Sequence, residues 1–336
     1  MSKVNTKSGH STSRLVGIFF IICVLGICTF GYLYQDEFKA KDVVFSAELS
    51  KIVSSIDLTS RATTILRATH PELQQREEFN QSCNSHSQEL YVLGCYREDS
   101  DRLYVYNVKS SDLPGVREVT TAHEMLHAAF HRLHFWEKPN LEKQLQAVYD
   151  QLPRDSDLRI SMGTYPKDEF HNELHSRIGT EIANLPSELE AYYTRYFNNR
   201  QQIVKFNEQY HNVFSKLKHE NEQLKQSIES KKQIVESRTT NYRNSQQSLN
   251  EDIAKFNYNA ASGHFINQLD FENQRRNLVQ RSNQLKKDYE QLSNDIESLN
   301  HDITKYNQNI YHNNQLIDQI NSNSLPKTVT DLSRST

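Results

Sequence analysis

Hydrophobic residues follow three different patterns along this chain, and the first is a single uncharged run. Residues 15–34 read LVGIFFIICVLGICTFGYLY and contain no charged side chain. An apolar run of this length crosses a bilayer as one helix. Lys3, Lys7 and Arg14 precede it without any acidic residue, and charges of both signs follow it. The positive-inside rule therefore predicts a cytoplasmic tail over residues 1–14, one transmembrane helix over 15–34 and an extracytoplasmic remainder.

A cleaved signal peptide is the alternative explanation of this run. The run is longer than the apolar core of most signal peptides, and no small-x-small cleavage site follows it. The sequence therefore favours an uncleaved, single-pass anchor at the cell membrane.

The second pattern, over residues 36–200, begins with mixed helical and strand signals. Apolar residues at helical spacing predict two helices before Pro71. The segments ELYVLGC (89–95) and RLYVYNV (102–108) are rich in aromatic and β-branched residues, and they predict two short strands.

Helical spacing dominates the rest of this region. One helix is predicted over residues 118–133, and the helices that follow it are broken near Pro153, Pro166 and Pro186. A short sheet beside many helices indicates an α+β fold that is mainly α.

The third pattern begins beyond residue 200, where apolar residues recur every three or four positions in a polar sequence. The second half of this region is the more regular one, and Asn313 interrupts a series that comprises Leu285, Tyr289, Leu292, Ile296, Leu299, Ile303, Tyr306, Ile310, Ile317 and Ile320. Sustained spacing of this kind predicts a coiled coil.

The segment YNAASGHF, residues 258–265, divides the region 201–322 into two halves of similar length. It contains Gly263, the only glycine beyond residue 200, and the apolar register is lost there. We therefore predict an antiparallel coiled-coil hairpin, roughly 80 Å long for a rise of 1.5 Å per residue. A continuous helix that pairs between chains is the alternative, and residues 323–336 are expected to form a disordered tail.

The charge of the chain excludes one class of function. The chain carries 39 Lys and Arg against 42 Asp and Glu, which gives a net charge of −3, and it has no long basic run. Binding to nucleic acid is therefore not expected.

Two cysteines, Cys83 and Cys95, lie beyond the predicted anchor. An extracytoplasmic compartment permits their oxidation, and a disulfide that closes so short a loop adds about 3 kcal/mol of stability. We predict that they form a disulfide, and two unpaired thiols are the alternative.

The segment VTTAHEMLHAA, residues 119–129, contains the pattern His-Glu-x-x-His. On a helix, His123 and His127 share one face, so both imidazoles can reach a single tetrahedral zinc ion. Glu124 then lies beside the metal, where its carboxylate can take a proton from zinc-bound water. Glu124 is also the only charged residue of the segment. A surface helix with two incidental histidines would carry more charges, so the segment predicts a buried metal site.

This segment resembles the signature of zinc metallopeptidases of the zincin fold. In that family the motif helix packs beside a small sheet whose edge strand aligns the substrate, and the two strands predicted before the motif helix fit that arrangement. The resemblance is specific over the motif and loose over residues 85–200, and it does not extend to the coiled coil.

The resemblance also implies a third protein ligand to the zinc ion, with the fourth position left to water. The metzincin extension is absent, and His131 is expected to be a polar residue on the helix flank. The gluzincin subgroup instead takes a glutamate from a later helix, often within Glu-x-x-Ala or Glu-x-x-Ser. Glu173, followed by Ser176, fits that pattern, and Glu181 is the second candidate.

Two roles stay open. The gluzincin pattern often has an acidic residue after the small one, but Arg177 stands here, so the partner of the motif histidines is unassigned, with His175 and Glu181 as candidates. The donor that would stabilise an oxyanion is also unassigned among Tyr165, Tyr192, Tyr193 and Tyr196.

Together these features predict a membrane-anchored zinc metallopeptidase whose extracytoplasmic domain, residues 36–200, hydrolyses peptide bonds in a protein or peptide substrate. One Zn²⁺ is expected on His123, His127 and Glu173, with Glu124 as the general base. The coiled coil would hold the enzyme against a partner, present substrate or self-associate. The alternative is a non-enzymatic adaptor or structural protein of the cell envelope, with an inactive or structural metal site.

Overall fold

The computed structural model describes residues 10–83, 92–163 and 165–322. Most of the predicted cytoplasmic tail, residues 1–9, lies outside the described residues, as does the whole predicted disordered tail over 323–336.

The chain divides into two compact units, residues 1–211 together with 318–336, and residues 212–317. Most elements of the first unit are helices, which are α1 (His10–Leu33), α2 (Gln35–Ala40), α3 (Ala47–Ile56), α4 (Ser60–Ala68), α5 (Arg76–Ser82), α6 (Val116–His131), α7 (Lys138–Gln151), α8 (Asp157–Met162), α9 (Phe170–Glu181) and α10 (Ser187–Tyr193). The two helices predicted before Pro71 are confirmed as α3 and α4, and the predicted breaks near the three later prolines separate α7, α8, α9 and α10.

The predicted transmembrane helix, residues 15–34, lies in α1 up to Leu33, where α1 ends one residue before the predicted boundary. Among the helices of the described residues, none is both long enough and apolar enough to cross a membrane.

A small sheet packs beside α6. Its strands are β1 (Glu72–Gln74), β2 (Gly94–Arg97) and β3 (Arg102–Tyr106), in the order β1-β3-β2. β1 runs parallel to β3, and β2 runs antiparallel to it, with Cys95 opposite Tyr104.

The sheet corrects the predicted strands in part. The strand predicted over 102–108 is present but ends at Tyr106. The strand predicted over 89–95 lies partly outside the described residues, and β2 begins only at Gly94 and continues to Arg97. The sequence did not predict β1, because three residues after a proline are too short a segment to show an alternating pattern.

The core of the first unit is built around α6. The predicted burial of the motif helix is confirmed, because Ala122, Met125, Leu126 and Ala128 are fully buried. Residues of α9 pack onto this helix, and Leu174 and Ile178 belong to the same hydrophobic cluster. Because α9 packs on α6, residues of α9 lie close to the motif histidines.

The structure also joins Cys83 to Cys95 by a disulfide, with their Cα atoms 5.9 Å apart. The bond ties β2 to the end of α5, where Cys83 follows the last helical residue. It therefore fixes a strand that packs closely on the motif helix.

Two long helices account for the rest of the described chain, α11 (Arg200–Ser262) and α12 (Gln268–Ile320). Within the second unit, ion pairs join Lys231 to Asp302 at 2.6 Å and Arg238 to Asp295 at 2.5 Å. From the first pair to the second, the residue number rises from 231 to 238 on α11 and falls from 302 to 295 on α12. The two helices therefore run antiparallel. This arrangement supports the predicted hairpin and not one continuous helix.

The turn of the hairpin, residues 263–267 between α11 and α12, overlaps the end of the predicted segment 258–265. α11 continues to Ser262, and Gly263 then adopts a positive φ of 66°. The backbone N–H of His264 donates to the carbonyl of Asn259 at 3.0 Å, which is the bond of a Schellman C-cap. Glycine is suited to that position because it takes a left-handed conformation without steric cost.

The buried positions of α12 also differ from the predicted apolar series. Asp302 is 9% exposed, whereas Ile296, Ile303 and Ile310 are 39%, 37% and 37% exposed. Asp302 faces α11, where it accepts hydrogen bonds from Ser227 and Lys231. At this position, therefore, a charged residue paired with the opposite helix is buried instead of the adjacent Ile303, whereas Leu292 and Ile320 of the predicted series are buried as expected.

Candidate metal site

The two motif histidines meet on one face of α6. They are one helical turn apart, and their Nε2 atoms lie 3.0 Å from each other. Both rings are largely covered, with 18% of the His123 side chain and 15% of the His127 side chain exposed. This arrangement requires only the helix itself, because residues four apart lie above one another.

Glu173 reaches the pair from α9. Its Oε2 lies 3.3 Å from Nε2 of His127 and 3.6 Å from Nε2 of His123. The ligand atoms of the three residues all lie within 4.8 Å of one another, and Glu173 is buried. The structure thus brings together the three residues predicted as metal ligands.

The spacing of these atoms fits a tetrahedral metal ion. Ligands about 2.0–2.1 Å from a tetrahedral Zn²⁺ are separated from each other by roughly 3.3–3.4 Å. The three observed separations are 3.0, 3.3 and 3.6 Å. In addition, Oε1 of Glu173 is buried and accepts no hydrogen bond from the described residues, although Nε of Arg177 lies 4.0 Å from it. A cation at the centre of this triangle would stabilise that carboxylate.

Asn172 fixes the orientation of one ligand. Its Oδ1 lies 3.0 Å from Nδ1 of His127, so Nδ1 carries the proton and donates it to the amide oxygen. The lone pair of a neutral His127 is then on Nε2, which faces the carboxylate of Glu173. Two electron-rich atoms this close repel each other unless a proton or a metal ion lies between them.

Sequence reasoning did not identify Asn172. The only signal in the sequence was its position, directly before the predicted ligand Glu173 on the same helix. When one residue of a helix binds the metal, the residues next to it on that helix come close to the other ligands.

Electrostatics in this cluster favour a cation beside a carboxylate. Burial disfavours charge on Glu173, but the charges and hydrogen bonds of His123 and His127 outweigh it and hold its pKa well below the ordinary value. Burial likewise disfavours charge on His127, but the hydrogen bond to Glu173 outweighs it and raises the pKa of His127.

Glu124 lies beside the triangle and not in it. Burial raises the pKa of its carboxyl group, and the charges of His127 and His123 only partly offset this. The backbone of Tyr96 in β2 also acts to lower this pKa. Its carboxylate is therefore held next to the ligands and away from solvent.

Close contact between β2 and α6 holds this carboxylate in place. A Cβ atom added to Gly94 would lie 2.6 Å from Cγ of Glu124 and 2.7 Å from Cγ2 of Thr120. Only glycine permits that approach. The edge strand, through Gly94 and Tyr96, thus packs directly on the candidate base.

A cleft of about 750 Å³ opens over these residues. Both cysteines of the disulfide line it, together with Gly94 and Tyr96 of β2. Tyr165 lines it as well, and is the one of the four candidate tyrosines that does. The cleft is therefore bounded by β2, α6 and the start of α9, and the metal triangle lies inside it.

The other candidate residues lie elsewhere. Glu181 pairs with Arg177, whose Nε lies 2.7 Å from its Oε1, so the second candidate ligand does not join the triangle. His131 lies 3.6 Å from Glu98 at the rim of the cleft, as a flank residue would.

His175 is fully buried among aromatic rings and is not bonded to the motif histidines. Its Nε2 lies 3.1 Å from the hydroxyl of Tyr192, and its ring stacks on Tyr193. Burial lowers its pKa to about 3, so the ring is neutral. His175, Tyr192, Tyr193 and Tyr196 form packing beneath the site, which removes them from the two open roles.

No protein family, curated protein or solved structure matches this chain.

Proposed function

We propose that this protein is a zinc metallopeptidase. The observation that carries the proposal is the triangle of His123, His127 and Glu173, whose ligand atoms are spaced as a tetrahedral Zn²⁺ requires. Two histidines and one glutamate leave the fourth position for water, which is the arrangement of catalytic sites and not of structural ones. A carboxylate beside that position adds the proton acceptor that hydrolysis needs.

A zinc ion held by His123, His127 and Glu173 would supply a water of lowered pKa and would polarise the scissile carbonyl. Glu124 would accept a proton from the attacking water and return it to the leaving amine. A raised pKa is the direction that suits a group which takes up a proton and later releases it. Asn172 holds His127 in the tautomer whose Nε2 faces the metal position.

A polypeptide fits the cleft better than a small molecule does. Within the described residues β2 pairs only with β3, so its other edge is free, and Gly94 and Tyr96 line the cleft. An extended peptide can add to such an edge through main-chain hydrogen bonds. A substrate paired with this edge would have a peptide bond close to Glu124.

The proposed location is the outer side of the cell membrane, with α1 against lipid. The Cys83–Cys95 disulfide supports an oxidising compartment for the first unit. The uncharged run over residues 15–34 and the positive charges before it support the orientation.

Metal analysis of the full-length protein tests the ligands. Wild type should contain about one zinc per chain. Glu173→Ala should lose it, and Glu181→Ala is the matched control that should keep it. Zinc retained in full by Glu173→Ala would show that the ligand set is wrong.

A peptide library tests the catalysis. Glu124→Gln should retain zinc and lose cleavage by roughly 10²- to 10⁴-fold, the usual contribution of a general base. If wild type binds zinc but cleaves no member of the library, the non-enzymatic adaptor with a structural metal becomes the better description.

A further inference from the structure

The turn between α6 and α7 exposes two aromatic side chains that the metal site does not use. Phe135 is 82% exposed and Trp136 is 62% exposed. The turn is nevertheless well ordered by contacts. His134 stacks on Trp136 with ring centroids 4.3 Å apart, and the backbone N–H of His134 donates to Oε2 of Glu137 at 3.1 Å. Residues 134–136, the aromatic turn, therefore present two rings to solvent from a fixed backbone.

This aromatic turn lies beside the end of α1. Arg132, two residues before it, donates from Nε to both carboxylate oxygens of Asp36, at 3.0 and 2.9 Å. Leu33, the last residue of α1, and His134 line the same cavity of about 980 Å³. The ion pair thus holds the aromatic turn next to the point where α1 ends.

Exposed aromatic rings continue from α1 into α2. Phe30, Tyr34 and Phe38 follow at four-residue spacing, and the ring of Phe30 lies 4.5 Å from that of Tyr34 and 6.4 Å from that of Phe38. All three are exposed. Exposed apolar groups gathered in one region mark an interaction surface.

The exposed residues of α1 indicate which kind of surface covers this region. Phe19, Phe20, Ile21 and Ile22 are consecutive, and each is between 58% and 69% exposed. At about 100° per residue, four consecutive side chains point around most of the helix. A protein groove covers one face of a helix, whereas lipid surrounds it. Lipid is therefore the surface that matches.

We propose that the aromatic turn docks into the interfacial layer of a lipid bilayer, next to the end of α1. Trp is suited to this layer because its indole ring is apolar and its N–H is polar. Asp36, Glu37 and Asp42 outnumber Lys39 and Lys41 nearby, so anionic lipid is not needed and zwitterionic phosphatidylcholine is sufficient. The inference rests on the proposed location of α1 against lipid.

Trp136 itself provides the test, because it is the single tryptophan of the chain. The full-length protein is reconstituted into phosphatidylcholine vesicles with ordinary or brominated acyl chains, and association is checked by flotation. Compared with unfolded protein, Trp136 emission should move to shorter wavelength. Brominated lipid should quench it, and aqueous acrylamide should quench it only weakly.

The control moves the reporter to another exposed site. In Trp136→Phe with Tyr258→Trp, the tryptophan replaces a residue that is 67% exposed in the second unit. This reporter should be quenched by acrylamide and not by brominated lipid.

Three results would overturn the proposal in distinguishable ways. Protein that floats while Trp136 behaves like the control contradicts docking of the turn and leaves the location of α1 intact. A Trp136 shielded from acrylamide but untouched by brominated lipid is covered by protein. Protein that does not float contradicts both docking and the location of α1.

Discussion

Nδ1 of His127 donates a hydrogen bond to Oδ1 of Asn172 at 3.0 Å, which links the motif helix to the helix that carries Glu173. The bond sets which nitrogen of His127 faces the metal position. It also joins α6 to α9 at the site, so the third ligand and the orientation of the second depend on the same helix contact.

Removing Asn172 should weaken metal binding. Asn172→Ala leaves His127 free to change tautomer and ring orientation, so zinc affinity should fall roughly 10- to 100-fold. Asn172→Asp keeps an acceptor and should retain affinity. Zinc competition against a chelator measures both.

Asn107→Ala is the control, because Asn107 is at least as buried as the half-buried Asn172 and is hydrogen-bonded to Glu48 and Arg117, away from the metal ligands. Equal losses of affinity in Asn172→Ala and Asn107→Ala would mean that general destabilisation, and not the contact with His127, causes the effect.

Adding a methyl group at Gly94 should separate metal binding from catalysis. The new Cβ would lie 2.6 Å from Cγ of Glu124. Thr120, on the same helix, is also only 2.7 Å from the new Cβ. The methyl group cannot move away from both side chains, so the side chain of Glu124 must move. Gly94→Ala should therefore keep zinc, lose most peptide cleavage and lower stability by about 1–3 kcal/mol.

Gly26→Ala serves as its control, since nothing lies within 4 Å of a Cβ added there. Full cleavage by Gly94→Ala would show that the contact between β2 and Glu124 is unimportant for catalysis.

Acid should loosen the attachment of α2 through Asp101. Burial disfavours its charge, but the hydrogen bond from Lys39 and the charge of Arg132 outweigh burial and hold the pKa of Asp101 below the ordinary value. A carboxyl whose pKa is lower in the folded chain stabilises the fold above the unfolded pKa of about 3.9, and the effect is lost as pH falls through the folded pKa.

Asp101→Asn should therefore cost about 2 kcal/mol at neutral pH and progressively less below pH of about 4. The exposed Asp99 pairs only locally with Arg97, which makes Asp99→Asn the control. Thermal unfolding measured between neutral and acid pH gives both values, and a constant difference across that range would contradict the assignment.

Asp302 should stabilise the hairpin even though it is a charged residue in a buried position. Asp302→Ala removes hydrogen bonds from Ser227 and Lys231 on the opposite helix, and should cost about 1 kcal/mol locally. Hydrogen exchange should then speed up around residues 227–231. Asp288→Ala is the control, because the bond that Asp288 accepts comes from Gln284 on its own helix. Similar exchange in both variants would argue against Asp302 as a contact that fixes the register.

Some features of the site could be predicted from sequence because they are local. His123, Glu124 and His127 take their relative positions from one helix, and helix geometry depends on spacing alone. Glu173 was favoured over Glu181 only through a family resemblance, and the structure places Glu173 alone at the histidines. Asn172 and β1 gave too little signal to be found.

The sequence by itself determined the helical character of the chain, the motif face of α6 and the position of the break between the two long helices. These depend on interactions within a few residues, which periodicity and composition report directly. The tertiary structure alone decided that α9 delivers Glu173 and Asn172 together, that Gly94 lies against Glu124 and that Asp302, and not the adjacent Ile303, is buried between the long helices. These contacts join residues that are far apart in the sequence and depend on how the elements pack and which charged groups pair. The spacing of residues along the chain does not show them.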